Sequence, residues 1–141
     1  MSEPELIDPH VFGGEQRCFG CGPGNHLGMH LRFYRDGDEV FTRFVPQDHW
    51  EGPPGILHGG LQATVADEVA AWTLVGLLGR FGLTTSMKLH YLRPARMNRE
   101  IEGRGKIISD LGKMAVVKVV LEQDNKCLLR GKLTFALPTL A

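Results

Sequence analysis

The chain has 141 residues, 43% of them apolar, and its 16 basic side chains balance 16 acidic ones. This length and composition predict one folded domain with a sizeable core and argue against a disordered protein. Residues 1–79 nevertheless hold 11 acidic and 4 basic side chains, whereas residues 80–141 hold 5 acidic and 12 basic ones. We therefore expect no general nucleic-acid binding, and a local anion site in the second half stays open.

The serine and cysteine counts narrow the chemistry and the location. Only three serines are present, and none lies in a Gly-x-Ser-x-Gly motif, which argues against an ordinary serine hydrolase. Three cysteines and an acidic N-terminus without a signal-peptide pattern favour a reducing cytoplasm. The apolar stretch 57–78 carries two acids near its middle, so no membrane association is expected.

The first half predicts an irregular segment, a hairpin and a loop. Residues 1–26 are rich in proline and glycine and show no period. The alternation in Leu27–Tyr34 predicts a half-buried strand, and the turn residues 35–38 connect it to a returning strand at Val40–Val45. Residues 46–55, with two consecutive prolines, predict a rigid loop.

The middle of the chain predicts one buried helix, and the rest predicts strands. From Gly59 to Leu78 apolar residues recur at helical spacing around most of the circumference, and Gly79 ends the pattern. Four alternating segments follow, at 84–92, 100–109, 114–123 and 127–136. The sequence therefore predicts an α+β fold, with an antiparallel sheet wrapped around one long central helix in a single domain over residues 1–141.

Asp67 is the most informative candidate for a functional residue. An ionised carboxylate inside an apolar helix is costly unless it is paired or used. The residues one helical turn away are all small and leave a slot for a ligand: Ala63, Thr64, Ala70 and Ala71. The alternative, that Asp67 or Glu68 emerges at a helix edge or joins a buried ion pair, stays open.

The start of the same helix, His58-Gly59-Gly60, is the second candidate. Backbone N–H groups at a helix N-terminus have no intrahelical acceptor, and glycines let a ligand approach them. Such a donor suits a developing oxyanion. Asp67 follows Gly59 by about 12 Å at the helical rise, so a second chain or an extended substrate is needed to join them. We expect His58 itself to make a structural backbone hydrogen bond.

Three segments carry a family resemblance: CFGCGPGNHLGMHLRF, GPPGILHGGLQATVADEVAAW and TTSMKLHYLRPAR. Together they resemble the hotdog-fold thioesterase superfamily, in particular the PaaI-like acyl-CoA thioesterases. The resemblance implies a hotdog fold, hydrolysis of an acyl-CoA to a free acid and CoA, and no cofactor beyond the CoA of the substrate. It also implies a homodimer, with pairs of dimers forming tetramers.

The resemblance assigns roles to individual residues. Asp67 matches the catalytic carboxylate, acting as a general base on water or as a nucleophile. Gly59 matches the glycine whose N–H polarises the thioester carbonyl, and Thr84 matches a hydroxyl residue supplied across the dimer interface. His58 and Gly60 are expected to contact substrate beside it.

One position departs from the family pattern. Many PaaI-like enzymes have Asn six residues before the histidine, where this chain has Gly52. The contact that such an asparagine makes would have to come from His58 or Gln62. This departure keeps a second function open, a non-catalytic acyl-CoA-binding sensor on the same fold. Hydration or dehydration of acyl thioesters is a further function of this fold, but it usually shows a different His–acid arrangement, which this sequence lacks.

Two further groups of residues are candidates for ligand contacts. A site for CoA is expected to have basic side chains around its opening to contact the CoA phosphates. Arg93 and Arg96 are the best candidates among five cations close together in the sequence, which also include Arg99, Arg104 and Lys106. The alternative is that these side chains form an ordinary solvated surface. Four residues could line an acyl pocket or simply belong to the core: Trp50, Trp72, Phe81 and Met87.

The Cys18-x-x-Cys21 motif has several interpretations. With His26 or His30 it could bind zinc, but one pair of ligands is a weak signal. Cys127 lies far away in the sequence. We expect a packed turn without metal.

Overall fold

The computed structural model describes residues 3–138. Its elements are β1 (Glu5–Leu6), β2 (Tyr34–Asp36), β3 (Glu39–Phe44), a short 3-10 helix (Asp48–Trp50), α1 (Gly59–Leu78), β4 (Leu83–Tyr91), β5 (Ile101–Asp110), β6 (Met114–Gln123) and β7 (Lys126–Ala136). The seven strands form one sheet in the order β1-β2-β3-β5-β6-β7-β4, and every pair is antiparallel. One long helix packed on this sheet confirms the predicted α+β class.

Helix α1 begins and ends where the sequence predicts. His58 caps its first turn, and Gly79 ends it in the left-handed region at φ 66°, a conformation in which glycine carries no steric penalty. By length and composition the helix could cross a membrane, but 56% of its most apolar stretch is buried inside the domain. It is the central helix of the core, with Val65, Ala66, Val69 and Leu74 fully buried.

The sheet places β4 at one edge. Strands β5, β6 and β7 follow one another through hairpins, and β4 then pairs with β7 on the outside. On β6 the inward residues Ala115, Val117, Val119 and Leu121 are fully buried against α1. On β4, by contrast, every residue except Leu89 is exposed. The strand therefore leaves one edge and much of both faces uncovered.

The predicted strand at Leu27–Tyr34 is wrong. The structure pairs only Tyr34–Asp36 in β2, and Leu27, expected on the buried face, is 82% exposed. The alternation does mark the side chains that face the core, namely Met29, Leu31 and Phe33. Residues 29 and 31 donate their N–H groups to the carbonyls of Phe19 and Gly20 in a loop instead of to a strand. Alternation of apolar and polar residues indicates which side chains are buried, but it does not show that a neighbouring strand is present to accept the backbone hydrogen bonds.

The loop at residues 46–55 contains the short 3-10 helix, and the side chain of Trp50, the last residue of that helix, is buried. Trp72 is also buried and stacks on Phe33, with 5.6 Å between ring centroids. Both tryptophans thus belong to the core, whereas Phe81 and Met87 are 55% and 45% exposed. Of the four candidates for an acyl pocket, only these two are accessible.

Candidate functional site

Asp67 and Thr84 form a direct pair between α1 and β4. The Thr84 hydroxyl donates to Asp67 Oδ1 over 2.6 Å, within the range of a charge-assisted hydrogen bond. Asp67 is partly exposed and Thr84 is exposed, which leaves the second carboxylate oxygen open to a ligand. The bond forms within one chain because β4 lies along the helix. The resemblance implies a hydroxyl from across a dimer interface, whereas here Thr84 contacts the Asp67 of its own chain.

The first turn of α1 leaves one amide donor free. The Gly60 N–H donates to His58 Nδ1 over 2.9 Å, and the N–H groups of Leu61 and Gln62 both donate to the His58 carbonyl. Within residues 3–138, the Gly59 N–H has no acceptor. The donor that the resemblance assigns to the thioester carbonyl is therefore available, while that of Gly60 is already used.

His58 makes the backbone hydrogen bond that the sequence predicts. Because its Nδ1 accepts from Gly60, the neutral ring must carry its proton on Nε2. The side chain is exposed, so this Nε2–H can donate to a ligand.

Gln62 offers a hydrogen-bond acceptor, whereas His58 offers a donor. Its Nε2 donates to the Leu57 carbonyl over 2.9 Å, whereas its Oε1 is buried with no partner within residues 3–138. The residue is 4% exposed and lines a groove of about 340 Å³ that also contacts Gly59, Tyr91 and Arg93. An unpaired buried carbonyl is costly, so this one is suited to accept a hydrogen bond from a ligand or a bound water.

Tyr91 fixes the wall of this groove. Its hydroxyl donates to the Gly59 carbonyl over 2.7 Å, and burial raises the pKa of the phenol, which keeps it a neutral donor. The ring lies beside Gly59, where an added Cβ would meet it at 3.8 Å. Strand β4 thereby carries both Thr84 and a contact to the helix start.

Close packing against His58 explains why position 52 is a glycine. Its N–H donates to the Ile56 carbonyl, and a Cβ added at Gly52 would lie 2.9 Å from His58 Cα. The asparagine that many relatives carry at this position would not fit without a shift of the helix start.

The five cations that the sequence grouped as a basic rim separate into two sets. Arg93 and Arg96 line a groove of about 210 Å³ together with Arg99, and Arg93 also lines the groove at Gly59. The other two are neutralised elsewhere: Arg104 contacts three carboxylates, and Lys106 lies 3.2 Å from a carboxylate of Asp38.

Four lysines form a row on the outer face of the sheet, which the sequence alone did not predict. Lys88, Lys132, Lys118 and Lys106 are direct cross-strand partners on β4, β7, β6 and β5. Among the described residues only Lys106 of the four has an ion-pair partner. Each lysine is visible in the sequence of its own strand, but their alignment in one row depends on the register between strands, which the sequence does not show.

A third cluster joins the N-terminal segment to α1. The Cys18 Sγ and Glu68 Oε1 lie 3.2 Å apart, and ligand atoms of Cys18, Cys21 and Glu68 all lie within 4.8 Å of one another. Neither His26 nor His30 belongs to this group. Glu68, which follows Asp67 on α1, thus contacts the cysteines and does not join the Asp67–Thr84 pair.

The cluster shifts the acidity of its members. Burial, followed by the negative charge of Cys18, raises the pKa of Glu68 to about 8. Hydrogen bonds from the Cys21 thiol, and then from the Cys21 and Gly20 amides, lower the pKa of Cys18 to about 5 against the effect of burial. The pKa of Cys21 is raised because its thiol proton is held by Cys18 and because it is buried.

Solved structures share this architecture. A thioesterase superfamily protein superposes with a TM-score of 0.78 at 24% identity, over 94% of this chain and 69% of its own. Zebrafish thioesterase superfamily member 2 gives 0.72 at 20% identity, over 83% of this chain and 87% of its own. A hypothetical thioesterase from Streptococcus pneumoniae, solved with coenzyme A, gives 0.68 at 19% identity, over 73% and 82%. One long helix on a seven-stranded antiparallel sheet places the chain in the hotdog-fold class.

The family follows from the sequence itself. The model of the thioesterase superfamily matches residues 54–127, which is more than half of the chain and includes α1, β4, β5 and β6. The chain belongs to the thioesterase superfamily.

Proposed function

We propose that the protein is an acyl-CoA thioesterase, which hydrolyses an acyl-CoA to a free acid and CoA. The observation that carries this proposal is the Thr84–Asp67 hydrogen bond of 2.6 Å on a mostly apolar helix whose first N–H, at Gly59, has no acceptor among residues 3–138. A positioned carboxylate and a backbone donor are sufficient for an activated carbonyl such as a thioester.

In the proposed reaction Asp67 acts through the carboxylate oxygen that Thr84 leaves open. As a base it takes a proton from water while the water oxygen bonds to the thioester carbon; as a nucleophile it bonds to that carbon itself. The developing oxyanion accepts from the Gly59 N–H. The carbon–sulfur bond then breaks, and the CoA thiolate leaves with the electron pair and takes up a proton. On the base route this step releases the free acid directly. On the nucleophile route it leaves a mixed anhydride on Asp67, which a water molecule then hydrolyses to release the free acid and restore the carboxylate.

Two side chains are proposed to divide the role of the asparagine that Gly52 replaces. His58 Nε2–H is an exposed donor for the carbonyl, and Gln62 Oε1 is a buried acceptor for a water or a substrate N–H. In relatives the asparagine amide carries both a donor and an acceptor.

The site is proposed to be shared between two copies of the chain. Asp67 and Gly59 are about two helical turns apart, so they cannot act on one carbonyl within a single chain. The free edge of β4, with exposed Leu83, Met87 and Tyr91, is of the kind that pairs with another strand. A homodimer joined along β4 would cover this edge and the small-residue face around Asp67; a tetramer would pair two such dimers.

The CoA phosphates are assigned to Arg93 and Arg96. Arg93 lines both the groove at Gly59 and the adjoining basic groove, and its guanidinium is held by the Cys127 carbonyl at 2.8 Å. A substrate with its carbonyl at Gly59 would therefore direct its CoA part toward these arginines. The Streptococcus pneumoniae relative solved with coenzyme A is consistent with this class of substrate.

The proposal is tested by thiol release from short, medium, long and aromatic acyl-CoAs. Asp67→Asn keeps the size of the side chain and an acceptor for Thr84, and is expected to lower kcat by about 100-fold or more. Glu122→Gln, which removes an exposed acid on β6, is the matched control with unchanged kcat. If wild type binds acyl-CoAs but never releases thiol, the sensor function replaces the enzyme; if Asp67→Asn is fully active, the site is elsewhere.

A mixing experiment tests the shared site. Gly59→Pro removes the free N–H at the first helical position, where proline is well tolerated, and is expected to lower kcat by about 100-fold. Neither this variant nor Asp67→Asn is active alone, but mixed and re-associated chains should recover about a quarter of wild-type activity, since half the dimers carry one intact site. No recovery in re-associated chains would show that both residues act within one chain.

The phosphate contacts are tested with two double variants that each remove two positive charges. Replacing Arg93 and Arg96 by alanine should raise KM for CoA esters by about tenfold or more and spare esters of a small thiol. Replacing Lys118 and Lys132 should change neither. The same KM rise in both double variants would show a general charge effect rather than contact.

A further inference from the structure

The cluster of Cys18, Cys21 and Glu68 is not used by the proposed thioesterase mechanism. It brings two sulfurs and one carboxylate together from positions 50 residues apart in the sequence, all within 4.8 Å of one another. Cys21 is 4% exposed, and the other two are partly buried. The third cysteine, Cys127, belongs to β7 and takes no part.

The turn that carries the cysteines is built to present sulfur. The Gly22 N–H donates to the Cys18 carbonyl over 2.8 Å, which closes the turn, and the amides of Gly20 and Cys21 face the Cys18 sulfur. Backbone donors of this kind stabilise a thiolate. Glycine at position 20 leaves room for the Glu68 side chain, which would have to shift if a Cβ were added there.

The charges of the cluster lack a counterion. Within residues 3–138, Glu68 forms no ion pair, and its hydrogen-bond contact is to Cys18, another acidic group. Three groups that become anionic on losing a proton thus face one another in a partly buried space. Negative charge placed in such a space without a partner is costly. A bound cation would remove that cost.

We propose that Cys18, Cys21 and Glu68 bind a zinc ion, with a water or other small ligand in the fourth position. The two thiolates are soft donors that suit zinc and disfavour calcium or magnesium, and a carboxylate oxygen is also a common zinc ligand. Ligand atoms around a tetrahedral zinc lie about 3.6–3.8 Å apart. The Cys18 Sγ and Glu68 Oε1 lie 3.2 Å apart and no pair in the cluster exceeds 4.8 Å, so the three atoms lie near this spacing.

The site ties an irregular segment to the core. Residues 7–33 form neither helix nor strand, yet they cover the outer side of α1 at Trp72 and Glu68. A metal that binds the folded cluster only would stabilise this segment on the helix. The role is structural and separate from the chemistry at Asp67.

The test is metal binding to the full-length reduced protein. After incubation with zinc and gel filtration, elemental analysis should give about one zinc per chain for wild type and for the control Cys127→Ser. The variants Cys18→Ser, Cys21→Ser and Glu68→Gln should each bind at least tenfold more weakly in a competition with a zinc-sensitive dye. Cobalt in place of zinc should give the near-ultraviolet absorption of a thiolate-bound metal in wild type, and a weaker one in each cysteine variant.

A second measurement covers variants that fold poorly. A chelator added to zinc-loaded wild type should lower its thermal midpoint, and added zinc should restore it. Wild type that keeps less than about a tenth of a zinc per chain, or zinc retained equally by Cys18→Ser and wild type, would overturn the site. Because every readout is metal content, spectrum or stability, it is independent of whether the protein hydrolyses thioesters.

Discussion

Replacing Gly52 by alanine is expected to destabilise the protein. The new Cβ would lie 2.9 Å from His58 Cα, about 0.6 Å inside the ~3.5 Å at which two carbon atoms begin to pack favourably. Both partners are held by backbone hydrogen bonds, Gly52 to Ile56 and His58 to Trp50, so neither can move alone. Overpacking of this kind costs about 1–3 kcal/mol, which lowers the thermal midpoint by roughly 3–12 °C in a domain of this size.

Gly59→Ala is the matched control for stability, because its Cβ would meet only Tyr91 at 3.8 Å. At the first helical position alanine should be neutral or stabilising by up to about 1 kcal/mol. Calorimetry or urea unfolding compares the two variants directly. The same reasoning applies to Gly52→Asn, which restores the residue of many relatives and yet should destabilise and give no gain in kcat. A Gly52→Asn protein with the wild-type midpoint would refute the close approach to His58.

Three further predictions concern other parts of the molecule. Thr84→Val should lower kcat by about tenfold through loss of its hydrogen bond to Asp67, while Thr84→Ser retains it; equal rates for the two variants would contradict the pairing. Lys132→Ala should raise stability by a few tenths of a kcal/mol, with less stabilisation by added salt than in wild type, as measured by urea unfolding in low and high salt. Burial raises the pKa of Glu102, but hydrogen bonds from two arginines outweigh it and hold the pKa below the usual 4.5. The stability lost in Glu102→Gln should therefore be largest above pH 4.5 and vanish in acid. A difference in stability that does not change with pH would disprove this.

The regular elements could be predicted closely because their patterns are local. The helix agrees to the residue at Gly59 and Leu78, since a long apolar stretch and a terminal glycine are both visible in one segment. The strand expected at 114–123 also agrees. Those expected at 84–92 and 100–109 are shifted by one residue at both ends, and the one expected at 127–136 begins one residue earlier in the structure. The strand predicted at Leu27–Tyr34 is wrong because the alternating pattern does not show whether a second strand is available to pair with it.

The candidate site could be predicted only in part. Asp67 and Gly59 stand out because an acid and two glycines are unusual in an apolar helix. The free acceptor of Gln62, by contrast, depends on which side of its amide meets Leu57, and this is settled by packing. Likewise Glu68 joins Cys18 across 50 residues, a contact that spacing in the sequence cannot show.

The place of β4 in the sheet also determines when the site can form during synthesis. Leu83 pairs with Ala136 and Tyr91 with Leu129, so β4 has no partner strand until Lys126–Ala136 has left the ribosome. Hairpins β5–β6 and β6–β7 close over short turns and can fold as they emerge. The contact between Thr84 and Asp67 is therefore completed late, and a nascent chain without β7 would leave both edges of β4 without a partner strand, which favours aggregation.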